Sequence, residues 1–178
     1  MNTSVKDVTL NAVFVSDILS YYDKESYQDL HAMAEGTDLS DPNGKVSMEL
    51  YNNLCAWIEE NLGKFNLIIV GRKIGETVYE TFRKFNMLQE NATPIDAMNA
   101  LKMVASSMIQ DPEGRGWEII SFDKKEIVMR RTQTFNSKLQ LGLLDGLVRK
   151  TNVSGVKVDY LHETALGAEY DDYIISWL

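Results

Sequence analysis

The segment 156–178, VKVDYLHETALGAEYDDYIISWL, decides the predicted fold. Two sets of its side chains each fall on one face of a strand with a period of two: Val156, Val158, Tyr160 and His162 in the first, and Tyr173, Ile175 and Trp177 in the second. The turn-forming residues between the two runs predict a hairpin. Because chain ends usually fray, apolar residues this close to the last residue indicate that the hairpin belongs to the core sheet.

A second hairpin is predicted upstream, where GWEIISF (116–122) and EIVMRR (126–131) are joined by DKK. Helical spacing predicts three helices over 47–63, 67–85 and 93–109, and a fourth over 136–151 between the hairpins. One or two short helices are expected within 17–36, after a strand over 8–15. The chain is therefore predicted to be α+β, with an antiparallel sheet of about four to five strands packed against a bundle of helices.

The composition indicates one globular domain over residues 1–178, with 44% hydrophobic and 25% charged residues. The net charge of -8 argues against nucleic-acid partners. The lone Cys55 cannot form an internal disulfide, which favours a reducing compartment. The amino-terminal residues do not resemble a signal peptide, and the longest apolar stretch, LIIV (67–70), is too short to enter a membrane. We therefore expect a cytoplasmic protein.

Two of the predicted helices carry glycines four residues apart, in GRKIG (71–75) and GLLDG (142–146). Residues four apart share one helix face, so each pair forms a flat strip without side chains. Two interpretations remain open: close packing between elements, or room for a flat ligand.

If the chain has a ligand pocket, we expect apolar walls formed by the helix of Gly71, the helix with several methionines and the inner face of the sheet. The predicted ligand-binding residues are Gly71, Gly75, Val78, Phe82, Met98, Leu101, Met108, Gly142 and Gly146.

The sequence has no pattern typical of catalysis or of a metal site. His31 and His162 are far apart, no paired cysteines occur, and there is no Ser-His-Asp arrangement or phosphate-binding loop. Four acidic residues, Glu163, Glu169, Asp171 and Asp172, crowd the last turn. Such density could suit calcium, but without the spacing of a calcium loop it indicates a solvated turn. No catalytic or metal-binding residue is predicted, although an enzyme built on carboxylates alone remains an alternative.

Residues 116–177 resemble a superfamily that groups 4-vinyl reductase domains, haem nitric-oxide-binding domains and transport-particle subunits. The shared pattern is a hairpin, a Gly-rich helix similar to GLLDGLV (142–148), and a closing strand similar to ALGAEYDDYIISW (165–177). Gly167 and Tyr170 occupy matching positions in that strand. In length and layout the chain is similar to an uncharacterised bacterial branch of this group, which the DLSDPNG loop (38–44) and the FRKF end (82–85) of a helix also fit.

This resemblance implies a regulatory domain that binds a small hydrophobic molecule between helices and sheet, or docks on another protein. Asp171 stands where 4-vinyl reductase domains often have a metal-binding cysteine, so that metal site is not expected. The stretch TFNSKLQ (134–140) lacks the arginine of the haem-binding motif, and the long central helices contain no histidine. We therefore expect no cofactor, and haem is not supported.

Our first hypothesis is a non-catalytic sensory or regulatory domain that signals to a separate protein or to a second copy in a homodimer. The alternative is an interaction module without a ligand, which would dimerise or dock through an exposed face carrying Tyr79, Phe82 and Phe85.

Overall fold

The computed structural model of the protein describes residues 7–178, so residues 1–6 of the predicted domain lie outside the described part. In chain order the elements are β1 (Thr9–Asn11), α1 (Val13–Ser20), α2 (Gln28–Ala32), β2 (Lys45–Ser47), α3 (Met48–Leu62), α4 (Lys64–Lys84), α5 (Pro94–Met108), β3 (Ile109–Gln110), β4 (Trp117–Asp123), β5 (Glu126–Arg131), α6 (Ser137–Arg149), β6 (Lys157–His162) and β7 (Asp171–Ser176). A turn of 3-10 helix, Thr164–Leu166, joins the last two strands. The predicted α+β class is confirmed.

The C-terminal strand β7 lies inside the larger sheet, whose strand order is β4-β5-β7-β6. It pairs antiparallel on both sides, so that Tyr173 is opposite Met129 of β5 and Tyr160 of β6. Tyr173 and Ile175 have no exposed surface. The predicted closing hairpin is therefore confirmed, and pairing along both edges of β7 explains how so short a tail is held in the core.

Tyr173 also connects this sheet to the helices. Its hydroxyl donates a hydrogen bond to the carbonyl oxygen of Ser137 over 3.0 Å, at the start of α6. The Ser137 hydroxyl lies 2.8 Å from the hydroxyl of Tyr160, and the Trp117 ring packs 5.8 Å from the Tyr173 ring. The first turn of α6 is thus fixed on the inner face of the sheet.

Helices α3, α5 and α6 begin where polar side chains bind the free backbone N–H groups of their first turns, whereas α4 follows Gly63 without a side-chain cap. The Ser47 hydroxyl accepts from the N–H of Leu50 over 3.1 Å before α3. Thr93 and Asp96 form a reciprocal capping box at α5, with Pro94 in its first turn. Asn136 caps α6. These helix starts agree with the sequence-based predictions.

The N-terminal part differs from the prediction of a single sheet, because its strands form a second, three-stranded sheet with the order β2-β1-β3 beside the larger one. The strand expected over 8–15 ends at Asn11, since the chain turns into α1 at Val13. Leu10 of β1 lies opposite Val46 of β2 and Ile109 of β3. Strands of two or three residues are too short to show alternation, which is why the sequence did not reveal β2 or β3.

Two groups of residues that were expected at the surface are largely buried in the structure. Tyr79 and Phe82 face the core and only Phe85 is exposed, so the three residues do not form the expected docking face. Asp171 and Asp172 were assigned to a solvated turn, but both are buried in β7, where arginines pair with them.

Candidate functional site

An apolar cavity of about 160 Å³ lies between α4 and α5 and is closed by parts of α1, α3, α6 and the segment after β5. Its apolar walls are formed mainly by Ile74, Val78 and Phe82 of α4 and by Leu101, Val104 and Met108 of α5. An engineered apolar cavity of about 150 Å³ is large enough to hold benzene or xenon. The space therefore suits a compact, apolar molecule of about one ring.

One end of the cavity is formed by three aromatic rings from separate parts of the chain. Phe135 lies 5.0 Å from Tyr51 and 5.7 Å from Phe14, measured between ring centroids. The Tyr51 ring meets the other two edge to face, at interplanar angles of 84° and 87°. Such packing is favourable beyond the area it buries, so this end of the cavity has a defined shape.

The same lining contains a few polar side chains, notably Asp17, Gln133 and Gln140. Burial raises the pKa of the Asp17 carboxyl, because the charged form loses solvation. The Tyr51 hydroxyl is held well above its usual pKa by burial first, and then by nearby Cys55 and Asp17. Within the described part of the chain the lining contains no lysine or arginine. The cavity therefore disfavours negative charge.

Gln133 is the most constrained of these polar groups, with 3% of its surface exposed. Its Oε1 accepts a hydrogen bond from the N–H of Phe135 over 2.9 Å. Its Nε2 is buried and has no hydrogen-bond partner within residues 7–178. A residue of the cavity lining thus contains a buried donor that no described protein atom satisfies.

Four of the residues predicted to bind ligand, Val78, Phe82, Leu101 and Met108, line this cavity, and their role in binding remains a prediction. Met98 is fully buried in α5 but does not line it.

The four glycines instead form the contact between α4 and α6. A Cβ atom on Gly71 would lie 2.2 Å from the carbonyl oxygen of Leu139, and one on Gly142 would lie 2.1 Å from that of Ile68. Gly75 and Gly146 are equally close to the facing helix. The interpretation that the strips leave room for a flat ligand is therefore corrected: each strip is covered by the other helix.

The sequence reasoning missed Phe14, Tyr51, Gln133 and Phe135. Phe14 and Tyr51 lie on α1 and α3, far from the other lining residues along the chain. Gln133 and Phe135 lie in an irregular segment that has no periodicity. The one local sign in the sequence was Phe135, an aromatic residue within the otherwise polar run TQTFN (132–136).

The two histidines and the cysteine of the described chain lie outside the cavity lining. His31 Nε2 is 2.8 Å from the carbonyl oxygen of Tyr22, and His162 Nδ1 is 3.0 Å from Asp172. Cys55 is buried in α3, and burial raises the pKa of its thiol. Within residues 7–178 no group of three or more His, Cys, Asp or Glu side chains is arranged to hold a metal ion. Nor does any helix in that range combine the length and apolar character of a membrane span.

The chain was compared with known proteins. No family model matches it, and no curated protein is significantly similar in sequence. An H-NOX protein from S. oneidensis, solved in the Fe(II)NO ligation state, superimposes with a TM-score of 0.74 at 8% identity, covering 95% of this chain and 99% of that one. An unliganded Fe(II) H-NOX variant from K. algicida superimposes with a TM-score of 0.66 at 11% identity, covering 95% of this chain and 97% of that one. A T. Tengcongensis H-NOX variant superimposes with a TM-score of 0.63 at 15% identity, covering 92% of this chain and 93% of that one.

These similarities confirm the predicted likeness to haem nitric-oxide-binding domains at the level of the fold, which extends over nearly the whole chain. They also correct one prediction. We expected no cofactor and found no support for haem, but the matched structures are described by their Fe(II) ligation states, and one study of the family concerns haem distortion. The expectation was wrong because it was drawn from one motif and from the lack of histidine in the long helices, without the solved structures of the same fold, which are described by their haem chemistry.

The cavity residues can be compared with what haem requires. Haem iron is commonly held by histidine, or by cysteine, methionine or tyrosine in other proteins. Among residues 7–178 the lining contains neither histidine nor cysteine, and the side chains of these types that it does contain are Tyr51 and Met108. The possible iron ligands of the lining therefore do not fit a haem held by histidine. Which ligand the cavity accepts depends on this chain's own residues.

Proposed function

We propose that this chain, whose fold is that of the H-NOX domains, is a sensory domain that responds to a small apolar molecule bound in the cavity between α4 and α5. The observation that carries this proposal is the cavity itself, with apolar walls and an ordered aromatic end. Ligand sites are typically concave and mostly apolar, with a few polar groups that fix orientation. In this proposal residues 1–178 act as one domain, by binding and without catalysis.

The signal would pass to a separate cytoplasmic protein or to a second copy of the chain. The helices that line the cavity also support the rest of the molecule: α4 contacts α6, and α6 begins on the larger sheet at Ser137. A shift of α4 on ligand binding would therefore be transmitted to α6 and the sheet. A buried, unoxidised Cys55 is consistent with a reducing compartment.

The proposal is tested with benzene as the probe, read out by the melting temperature and by hydrogen exchange. We expect benzene to raise the melting temperature, because a ligand that binds only the folded state stabilises it. The backbone amides of α4, α5 and also α6 should exchange their hydrogens more slowly when benzene is bound. Ala105→Phe, which fills the cavity from α5, should abolish both effects, whereas Ser106→Phe, on the exposed face of the same helix, should preserve them.

Absence of any benzene effect on the wild-type protein would contradict the proposal. Haem is measured in parallel by the Soret absorption of the protein after incubation with haem. A saturable Soret band lost in Ala105→Phe would assign the cavity to haem instead of a small apolar molecule.

A second function, protein docking, is favoured by the apolar surface of the edge strand β4. Ile120 is 47% exposed and Phe122 is 66% exposed, and an edge strand can pair with another chain. If this surface mediates dimerisation, Phe122→Lys should shift the protein from dimer to monomer in analytical ultracentrifugation. An unchanged monomer would contradict docking between copies.

A further inference from the structure

We infer that the molecule bound in the cavity carries a neutral carbonyl-type oxygen that accepts a hydrogen bond from Nε2 of Gln133. This inference rests on the proposed function, since it requires a small molecule in the cavity. It adds the chemical class of that molecule: a compact apolar body with one uncharged acceptor.

The first step is the orientation of the Gln133 amide. The N–H of Phe135 can only donate, so the atom 2.9 Å from it must be the amide oxygen, Oε1. If the amide were reversed, two donors would face each other. The second side-chain atom is therefore the NH₂ group, and its assignment is fixed by the backbone.

The second step is that this NH₂ group lacks a partner. Gln133 lines the cavity, its Nε2 is buried, and no acceptor within residues 7–178 reaches it. A buried donor left unsatisfied destabilises the folded state, and native proteins rarely tolerate one without a ligand, ion or water beside it. A ligand oxygen that reaches Nε2 from the cavity would satisfy the donor.

The third step concerns the charge of the acceptor. Among residues 7–178 the cavity lining contains Asp17 and no basic side chain, so a carboxylate or phosphate would be repelled and left unpaired. The rest of that lining is mostly apolar or aromatic, and its other polar side chains, Thr77, Thr81 and Gln140, are uncharged. A ketone, aldehyde, ester or amide oxygen on a hydrocarbon body fits this combination, because it accepts a hydrogen bond without carrying charge.

The test uses two probes of nearly identical shape, cyclohexanone and methylenecyclohexane, which differ by an oxygen in place of a CH₂ group. Dissociation constants are measured by calorimetry for the wild type and for Gln133→Met, which keeps the length of the side chain and removes the donor. We expect the dissociation constant of cyclohexanone, divided by that of methylenecyclohexane, to be about fivefold to tenfold larger in the variant than in the wild type. Comparing ratios cancels the different hydration of the probes.

A matched control is Gln28→Met, because Gln28 is an exposed residue of α2 and lies outside the cavity. It should leave both dissociation constants unchanged. If Gln133→Met does not fold, as judged by circular dichroism, the side-chain NH₂ resonances of Gln133 in the wild type are followed by NMR instead. Cyclohexanone should shift them downfield, because its oxygen accepts the hydrogen bond, and methylenecyclohexane should not.

The outcomes separate this inference from the proposed function. If neither probe binds the wild-type protein, the proposed function fails and the inference fails with it. If both probes bind and the ratio is the same in wild type and variant, the proposed function stands and the inference is overturned. In that case the bound molecule does not accept a hydrogen bond from Gln133.

Discussion

Asp171 is the buried partner of an ion pair with Arg131, and it stands at the start of β7. Its side chain has no exposed surface, while that of Arg131 is 12% exposed. Its other oxygen accepts from the N–H of Thr164 over 2.7 Å. Burial alone would raise the pKa of the Asp171 carboxyl, but the Arg131 and Thr164 donors outweigh it and hold the pKa below its usual value. The pair therefore joins β5, β7 and the turn before β7.

Replacing Asp171 should strongly destabilise the protein. Asp171→Ala leaves Arg131 buried without its carboxylate, and breaking a buried pair in this way costs about 3–5 kcal/mol. Asp159→Ala is the control, since its pair with Lys157 is exposed on both sides and contributes about 1 kcal/mol or less. Urea unfolding at pH 7 measures both free energies. Equal losses in the two variants would contradict the structural role of Asp171.

The pH dependence of this effect has a definite sign. A carboxyl group with a lowered pKa in the folded state contributes stability above its unfolded pKa, about pH 4, and loses it as the pH falls through the folded value. The difference in free energy of unfolding between the wild type and Asp171→Ala should therefore be largest at pH 7 and should shrink below about pH 4. A difference that grows on acidification would contradict the assigned protonation state.

At the level of single residues, sequence alone identified part of the candidate site. Phe82, Leu101 and Met108 could be predicted because helical spacing shows which residues face inward. Phe14 and Gln133 could not, because their positions depend on how α1 and the segment after β5 are brought to α4 and α5. Asp171 looked like a turn residue, and only its Arg131 partner explains its burial.

At the level of elements, the contact between α4 and α6 determines how closely the helical layer packs. Gly71 and Gly142 allow the two backbones to touch, since a Cβ on either would fall within 2.2 Å of a carbonyl oxygen on the other helix. The obstructing atoms are backbone atoms and cannot rotate away. The helices must then separate to accept any side chain.

Gly142→Ala should therefore reduce the free energy of unfolding by roughly 3 kcal/mol, at the upper end of the overpacking range. Gly116→Ala is a matched control, because a Cβ at Gly116 meets no atom within 4 Å. Its effect should be close to zero. Thermal and urea unfolding of the two variants provide the comparison, and a Gly142→Ala protein as stable as Gly116→Ala would contradict the close contact.

The closing strand β7 is an integral element, because it pairs with both β5 and β6. Removing residues 173–178 deletes Tyr173 and Ile175 from the core, and each buried side chain of this size contributes about 1.5–3 kcal/mol. The truncated chain should fail to show a cooperative unfolding transition by circular dichroism. Leu178→Ala, a change at a side chain that is 79% exposed, should unfold like the wild type. Native-like melting of the truncated chain would contradict this assignment.

The elements differ in how well sequence predicts them. Helices α3 to α6 were found because each has a long apolar stripe, and α5 also has a recognisable start in its Thr93 capping box. The hairpins were found by alternation. Of the three-stranded sheet only a strand over 8–15 was expected, because β2 and β3 are short and are held by pairing between distant segments, which leaves no local pattern.

For the molecule as a whole, the fold matches H-NOX domains at 8–15% sequence identity. At this similarity the fold is shared while the side chains of the cavity are this chain's own. Its walls are apolar, its end is aromatic, and its lining lacks histidine. We therefore expect the same architecture to serve a ligand selected by these residues.

The central claim, that the cavity between α4 and α5 receives a small apolar molecule, is tested most directly by a crystal structure of the protein under xenon pressure. Xenon enters apolar cavities of this size. The account predicts a xenon peak in contact with Phe82, Leu101 and Met108, and its loss in Ala105→Phe. A cavity that contains only ordered water, or that has closed with no density inside it, would contradict the account.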